Sequence, residues 1–245
     1  MSKKQKDKKQ ESLVDNIRSV IYALIIALVI RTFFFQPFSI PSGSMLPTLL
    51  IGDYLFVSKM SYGYSRHTIA FGMPLFEGRL FAGEVERGDV AVFKLPSDGR
   101  TDYIKRVIGL PGDEIQMKNG RLFINGEAVK RELVNAIHED YPDAVIYRET
   151  LPNGVQYDTF DYGYKNITDD TGVYRVPQGH YFMMGDNRDN SQDSRFVRAV
   201  GFVPYENFVG EAKILFHSFD QNARFWEIWK YPTAIRWERL FGAIE

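Results

Sequence analysis

The chain contains no cysteine. Disulfide staples, thiolate zinc sites and a cysteine nucleophile are therefore excluded. Histidine is scarce too, limited to His67, His138, His180 and His217. Neither charge sign is in excess: 30 Lys and Arg face 31 Asp and Glu, for a net charge of −1. That balance excludes a strongly basic nucleic-acid binder. No internal repeat stands out, and no low-complexity block beyond a Lys-rich N-terminal tail. What remains is an ordinary globular mixture, 44% hydrophobic and 25% charged, which excludes wholesale disorder. The 245 residues suffice for one generous domain or two small ones. Twenty Gly and 11 Pro, many clustered, with 14 Tyr and 19 Phe, lean towards a β-rich fold.

Charge is unevenly placed. Residues 1–18 hold six basic and three acidic residues, a net +3 that leaves −4 for the rest. The run SVIYALIIALVI (19–30) carries no charge. Twelve helical residues cover about 18 Å, short of the roughly 30 Å hydrocarbon core. The uncharged TFFFQPF after Arg31 can extend the helix across residues 17–36, with Arg31 snorkelling to the far interface and Pro37 ending it. A cleaved signal peptide would need a small-x-small site, and RTFFFQPF is bulky throughout. A buried core helix fits poorly with five lysines upstream. A retained single-span anchor is the favoured reading. Its basic tail, residues 1–16, is expected in the cytoplasm and everything beyond the span on the outer side.

Beyond Pro37 the periodicity is strand-like. YLFVSKM (54–60), DVAVFKL (89–95), YIKRVIGL (103–110), EIQMKNG (114–120) and RLFINGEAV (121–129) are short runs. Asn119-Gly120 and Asn125-Gly126 are hairpin-turn signals. The polar, turn-rich stretch from about 115 to 176 looks like a β insertion into a domain spanning 37–213. The segment 214–245 is different, holding Trp226, Trp229 and Trp237 among arginines. It either packs on the β domain or lies at a lipid interface, where Trp and basic residues are favoured.

Three segments invite a chemical reading. In SIPSGSMLPTLLIGD (39–53), Ser44 sits on a loop stiffened by Pro41 and Pro47. A rigid linker is the plain alternative, but linkers are usually more polar. A nucleophile needs just such a fixed position. In DYIKRVIGLPGDE (102–114), Lys105 lies among apolar neighbours. It is either an outward strand lysine or a desolvated one whose lowered pKa makes it a base. In MMGDNRDNSQDSR (183–195), acidic and amide side chains surround Arg188 and Arg195. This is no calcium loop, having neither Gly at the sixth place nor Glu at the twelfth. Asp–Arg pairs bracing a catalytic wall explain it better.

Together, in this order behind one span, PSGSMLPTL, RGDVAVFK, YIKRVIGLPGD and GDNRDNSQDSR resemble the bacterial type I signal peptidases, or leader peptidases. The resemblance covers roughly residues 15–215. It implies a mostly β fold: a partly barrel-like antiparallel catalytic domain with a smaller β insertion, preceded by one transmembrane helix. It implies a serine endopeptidase in the bacterial inner membrane that removes signal peptides from secreted precursors after a small-x-small motif. Ser44 resembles the nucleophile and Lys105 the general base. Ser42 resembles the oxyanion-hole side chain, paired with the Ser44 backbone N–H. Ser191 matches the serine that orients the lysine. Asp193 with Arg195 resembles a supporting salt bridge, and Asp186 with Arg188 further structural support. Phe38, Ile40, Pro41, Met45, Asp102, Tyr103 and Ile104 fall where the family binds its substrate. No metal, other cofactor or nucleic acid is implied; the partners are signal peptides and the lipid bilayer. The best-studied relatives have two N-terminal spans, and this chain shows one. Two rival functions are a self-cleaving Ser/Lys repressor-type peptidase and a tethered β domain that binds a periplasmic partner. The first would need a DNA-binding module, and the second has no need of the Ser44, Lys105 and Ser191 constellation.

Overall fold

The computed structural model describes residues 3–68, 78–135, 141–163, 165–220, 229 and 231–244. A long helix, α1 (Lys3–Phe33), comes first. Its segment Val14–Phe33 is long and apolar enough to cross a membrane, and none of it is buried against the protein. The last helical bond runs from Phe34 N to Ile30 O. The chain then turns directly into a strand, β1 (Phe35–Ser39). The helix thus ends earlier than the apolar run suggests. Pairing of Phe35 with Ser58 takes over, and Pro37 lies inside β1, opposite Phe56. Proline is tolerated there because β1 is an edge strand. The joint is tied down: Thr32 O accepts from Lys59 Nζ, Phe33 O from Tyr64 Oη, and Phe34 O from Lys59 N. These donors satisfy carbonyls that a helix end leaves without partners.

After β1 come β2 (Asp53–Ser58), the short pair β3 (Tyr64–Ser65) and β4 (Arg79–Leu80), β5 (Val90–Lys94) and β6 (Asp102–Gly109). Strands β7 (Glu114–Lys118), β8 (Arg121–Ile124) and β9 (Glu127–Ala128) follow. Both Asn-Gly turns form between them, with Asn119, Gly120, Asn125 and Gly126 all at positive φ, as two-residue hairpin turns require. Then come β10 (Lys130–Asn135), β11 (Val145–Thr150), β12 (Gln156–Asp161) and β13 (Tyr174–Arg175). Last are β14 (His180–Met184), β15 (Val203–Pro204), β16 (Phe208–Ser218) and the short helix α2 (Tyr231–Ala234).

Seven strands make one curled, half-barrel sheet in the order β1-β2-β16-β5-β6-β14-β15. Strands β7 to β13 build two smaller sheets, β13-β7-β8-β9 and β10-β11-β12. The protein is mostly β. One apolar cluster packs Ile40 and Met45 against the large sheet's Leu55, Val57, Val90, Val92 and Leu215. A second, with Ile108, Ile115, Leu122, Ile124 and Phe182, joins the large sheet to the four-stranded one. The 214–245 segment is split: its first residues belong to β16, and 231–244 dock on that strand. Residues 221–228, including Trp226, lie outside the described residues.

Candidate active site

Just beyond β1 the chain makes a single 3-10 turn, Gly43–Met45, which carries Ser44. Asn187 holds this turn from the facing loop, its Nδ2 donating to Gly43 O (3.0 Å) and its N–H to Ser44 O (3.2 Å). Lys105 projects from β6, and its Nζ lies 2.6 Å from Ser44 Oγ. A second contact, 3.0 Å to the Ile104 carbonyl, fixes the amine's direction. Lys105 is only 4% exposed. Burial pulls its pKa from the ordinary 10.5 down to about 8, against the opposing pull of the Asp193 and Asp186 carboxylates. With a neutral amine, the Ser44 hydroxyl becomes the donor and the nitrogen lone pair the acceptor. That is the arrangement for removing the serine proton.

The pair opens onto a groove of about 490 Å³. Phe38, Ile40, Pro41, Ser42 and Ser44 form one side, and Asp102, Tyr103, Ile104 and Lys105 the other, with Ser39, Val92, Asn190 and Gln192 completing it. Both sides offer unpaired strand edges. β1 has a neighbour only in β2, and β14 begins pairing with β6 at Arg106, leaving residues 102–105 free on that side. Among the described residues no cluster of His, Asp and Glu could hold a metal ion.

A family model described as signal peptidase, peptidase S26 matches residues 13–217. The chain belongs to this family. Signal peptidase I of Rickettsia typhi is 44% identical over 220 residues, covering 86% of this chain and 83% of the relative. Signal peptidase I of Rickettsia massiliae is 44% identical over 209 residues, covering 82% and 78%. A crystal structure of a signal peptidase I from Enterococcus faecalis V583 aligns with 52% of this chain and 96% of its own, at 26% identity and a TM-score of 0.31. As a member of the peptidase S26 family, the protein is a serine endopeptidase, and its apolar helix makes it a membrane-anchored one.

The family's sequence motifs do not reveal every contact around the pair. Ser42 Oγ lies 3.5 Å from Ser44 Oγ. Asp193 and Arg195 form a buried two-pronged ion pair, at 2.9 Å on each prong. Burial would raise the Asp193 carboxyl, but the Arg195 guanidinium outweighs it and holds it below its ordinary value. Asp186 and Arg188 do not pair with each other. Asp186 binds Arg106 through both oxygens (2.9 and 2.8 Å) and also accepts from Thr48 Oγ1 (2.6 Å). Arg188 instead grips Glu149 at 2.7 Å on each prong. Arg106 on β6 reaches Asp186 and Glu149 on β11 reaches Arg188, so each charge pairs across the fold and not along the loop. Ser191 Oγ is buried beside the Asp193 carboxylate and makes no hydrogen bond to Lys105 Nζ, whose bonds go to Ser44 Oγ and the Ile104 carbonyl. Met45 is fully buried in the core below the groove and does not line it. Thr48, Arg106, Glu149, Asn187 and Gly185 went unnoticed in the sequence. A Cβ at Gly185 would lie 2.4 Å from Ser44 O and 2.2 Å from Ser191 Oγ. Only a glycine before Asp186 lets this loop reach the Ser44 turn.

Proposed function

We propose that this protein removes signal peptides from secreted precursors, cutting after small-x-small residues, with Ser44 as nucleophile and Lys105 as general base. The carrying observation is the 2.6 Å contact between the Ser44 hydroxyl and a buried lysine amine whose pKa lies near 8. The names of the Rickettsia relatives support the same substrate class. The precursor lies extended between β1 and the free edge of β6, adding its backbone hydrogen bonds to both. Alternate side chains then enter a groove floored by Ile40, Val92 and Ile104. Large residues there would overpack, at a cost of about 1–3 kcal/mol.

Neutral Lys105 takes the Ser44 proton as Ser44 attacks the scissile carbonyl. The Ser44 N–H and the Ser42 hydroxyl stabilise the oxyanion, each such donor contributing about 3 kcal/mol. Lysine then returns the proton to the leaving amine, and water hydrolyses the acyl-enzyme. The positive first part of α1, ahead of the apolar segment Val14–Phe33, stays in the cytoplasm, so the catalytic domain faces the outer side of the bacterial inner membrane.

The test is cleavage of a secretory precursor by wild type, Ser44→Ala and Lys105→Ala, each reconstituted in lipid. Both variants should be silent while remaining folded; turnover above about a tenth of wild type in either would end the dyad assignment. A precursor with Ala before the cut should be processed and the same precursor with Trp there should not. Equal rates would remove the small-pocket reading.

A further inference from the structure

The family match stops at residue 217, yet the chain beyond it returns to the nucleophile loop. The returning segment docks along β16: Phe241 N donates to Leu215 O (2.7 Å), Leu215 N to Gly242 O (2.9 Å) and Ile244 N to Lys213 O (3.0 Å). Two arginines are thereby brought under loop 46–52, which directly follows the Ser44 turn. Arg239 Nη2 donates to Thr48 O (3.0 Å) and Asp53 Oδ2 (2.6 Å), and its Nε to Asp53 Oδ1 (3.3 Å). Arg236 Nη1 donates to Ile51 O (3.1 Å) and Ser218 Oγ (3.2 Å).

Asp53, fully buried, also accepts from Leu50 N (2.8 Å) and Ser218 Oγ (2.6 Å). A buried carboxylate demands a cation, so Asp53 fixes the tail in this place. Close approach is possible because Gly52 sits at φ +93° with Phe219 O only 2.1 Å from where a Cβ would stand. Thr48 is consequently held from two sides. Its carbonyl is held by Arg239, and its hydroxyl by Asp186, the partner of Arg106, which adjoins Lys105 on β6.

We propose that residues 231–244 form a strap that sets the nucleophile loop, with Arg239 and Arg236 as positioning residues acting on Ser44 through Thr48, Ile51 and Asp53. This deepens the Ser44–Lys105 reading and rests on it. Neither guanidinium hydrogen-bonds to a groove residue or to Lys105. Loss of the strap contact should therefore lower kcat and leave KM and the acidic limb of the pH profile in place.

The experiment uses the full chain in detergent micelles and a peptide with Ala-x-Ala before the cut. Arg239→Gln should lower kcat about tenfold or more, with KM within about threefold and the acidic limb unmoved. Asp53→Asn with Arg239→Gln removes the buried carboxylate together with its part-buried cation; it should recover the thermal midpoint and not the rate. The strap is overturned if Arg239→Gln keeps kcat within about twofold of wild type. It is equally overturned if the double variant regains rate together with stability, or if that variant is unfolded at the assay temperature, since the contact is then only architectural. Ser44→Ala separates the two readings. An active Ser44→Ala overturns the dyad itself, whereas a silent Ser44→Ala beside a fully active Arg239→Gln overturns the strap alone.

Discussion

At the scale of single residues, the proposed chemistry turns on one amine deprived of water. Burial destabilises the charged form of Lys105 and lowers its pKa to about 8, in spite of two nearby carboxylates. The acidic limb of kcat/KM should therefore fall near pH 8, well below the ordinary lysine value. Lys105→Arg should be inactive, because a guanidinium stays protonated. A pH–rate profile of both proteins checks this, and an active arginine variant would point to another base. Stability should rise with pH as well, over a window that starts where the activity limb ends. The unfolded chain holds the lysine proton up to about 10.5 and the folded chain only up to about 8. Between those values the unfolded state binds more protons, so folding stability rises with pH through the window. Below about 8 the whole cost stands, roughly 3 kcal/mol for a shift of this size. Lys105→Met should thus be more stable than wild type at pH 7, with the gain shrinking towards pH 10. Urea unfolding at the two pH values measures it, and a gain equal at both would contradict the burial argument.

At the scale of elements, the site is where three loops meet: the turn after β1, the start of β6 and the loop after β14. Gly185 sits at that meeting point, against the Ser44 carbonyl. Gly185→Ala must push the Ser44 turn away or move its own loop. A displacement of about 1 Å at a nucleophile can cost on the order of 100-fold in rate. The variant should lose that much kcat while its β sheets persist by circular dichroism; wild-type turnover would show that the loop yields freely. Local signals for elements were strong in the sequence. Asn-Gly pairs announced both turns of the β7–β9 meander, and the alternating runs coincide with β2, β5, β6, β7 and β8. The end of α1 was not legible, because Phe34 and Phe35 are as apolar as the helix before them. Pairing with β2, a tertiary event, decides where the helix stops.

At the scale of the whole molecule, an aromatic surface continues from the end of α1. The rings of Phe35 and Phe56 lie 6.4 Å apart, and Phe56 stacks on Phe216 at 4.2 Å. Ile214, on the same strand as Phe216, bridges to Ala243 of the strap. Trp237 and Phe241 there remain 60% and 77% exposed. The strap thus packs on β16 and still presents aromatic rings to its surroundings. Such rings favour the lipid interface. In proteoliposomes of the full chain with Trp226 and Trp229 replaced by Phe, Trp237 fluorescence should be quenched by lipids labelled near the headgroup. Quenching equal to that by an aqueous quencher alone would place this face in water.

The sequence by itself determined the anchor, the mostly β architecture and the Ser44 and Lys105 pair proposed to react. Each of these rests on local information: an uncharged run, period-two alternation, Asn-Gly turns, and motif residues whose types suit the chemistry. The partners of buried charges were decided only by the tertiary structure. Asp186 lies two positions from Arg188 but binds Arg106, 80 residues away, and Arg188 binds Glu149, 39 residues away. Met45 belongs to the core and not to the groove for the same reason, since the curl of the sheet determines which face of the turn is enclosed. In one dimension the arginines of the tail suit packing on the β domain and a lipid interface alike; two of them meet a carboxylate that only folding brings within reach. A charge that leaves water must be matched wherever the strands place it, and that placement is a property of the sheet order, not of neighbours along the chain.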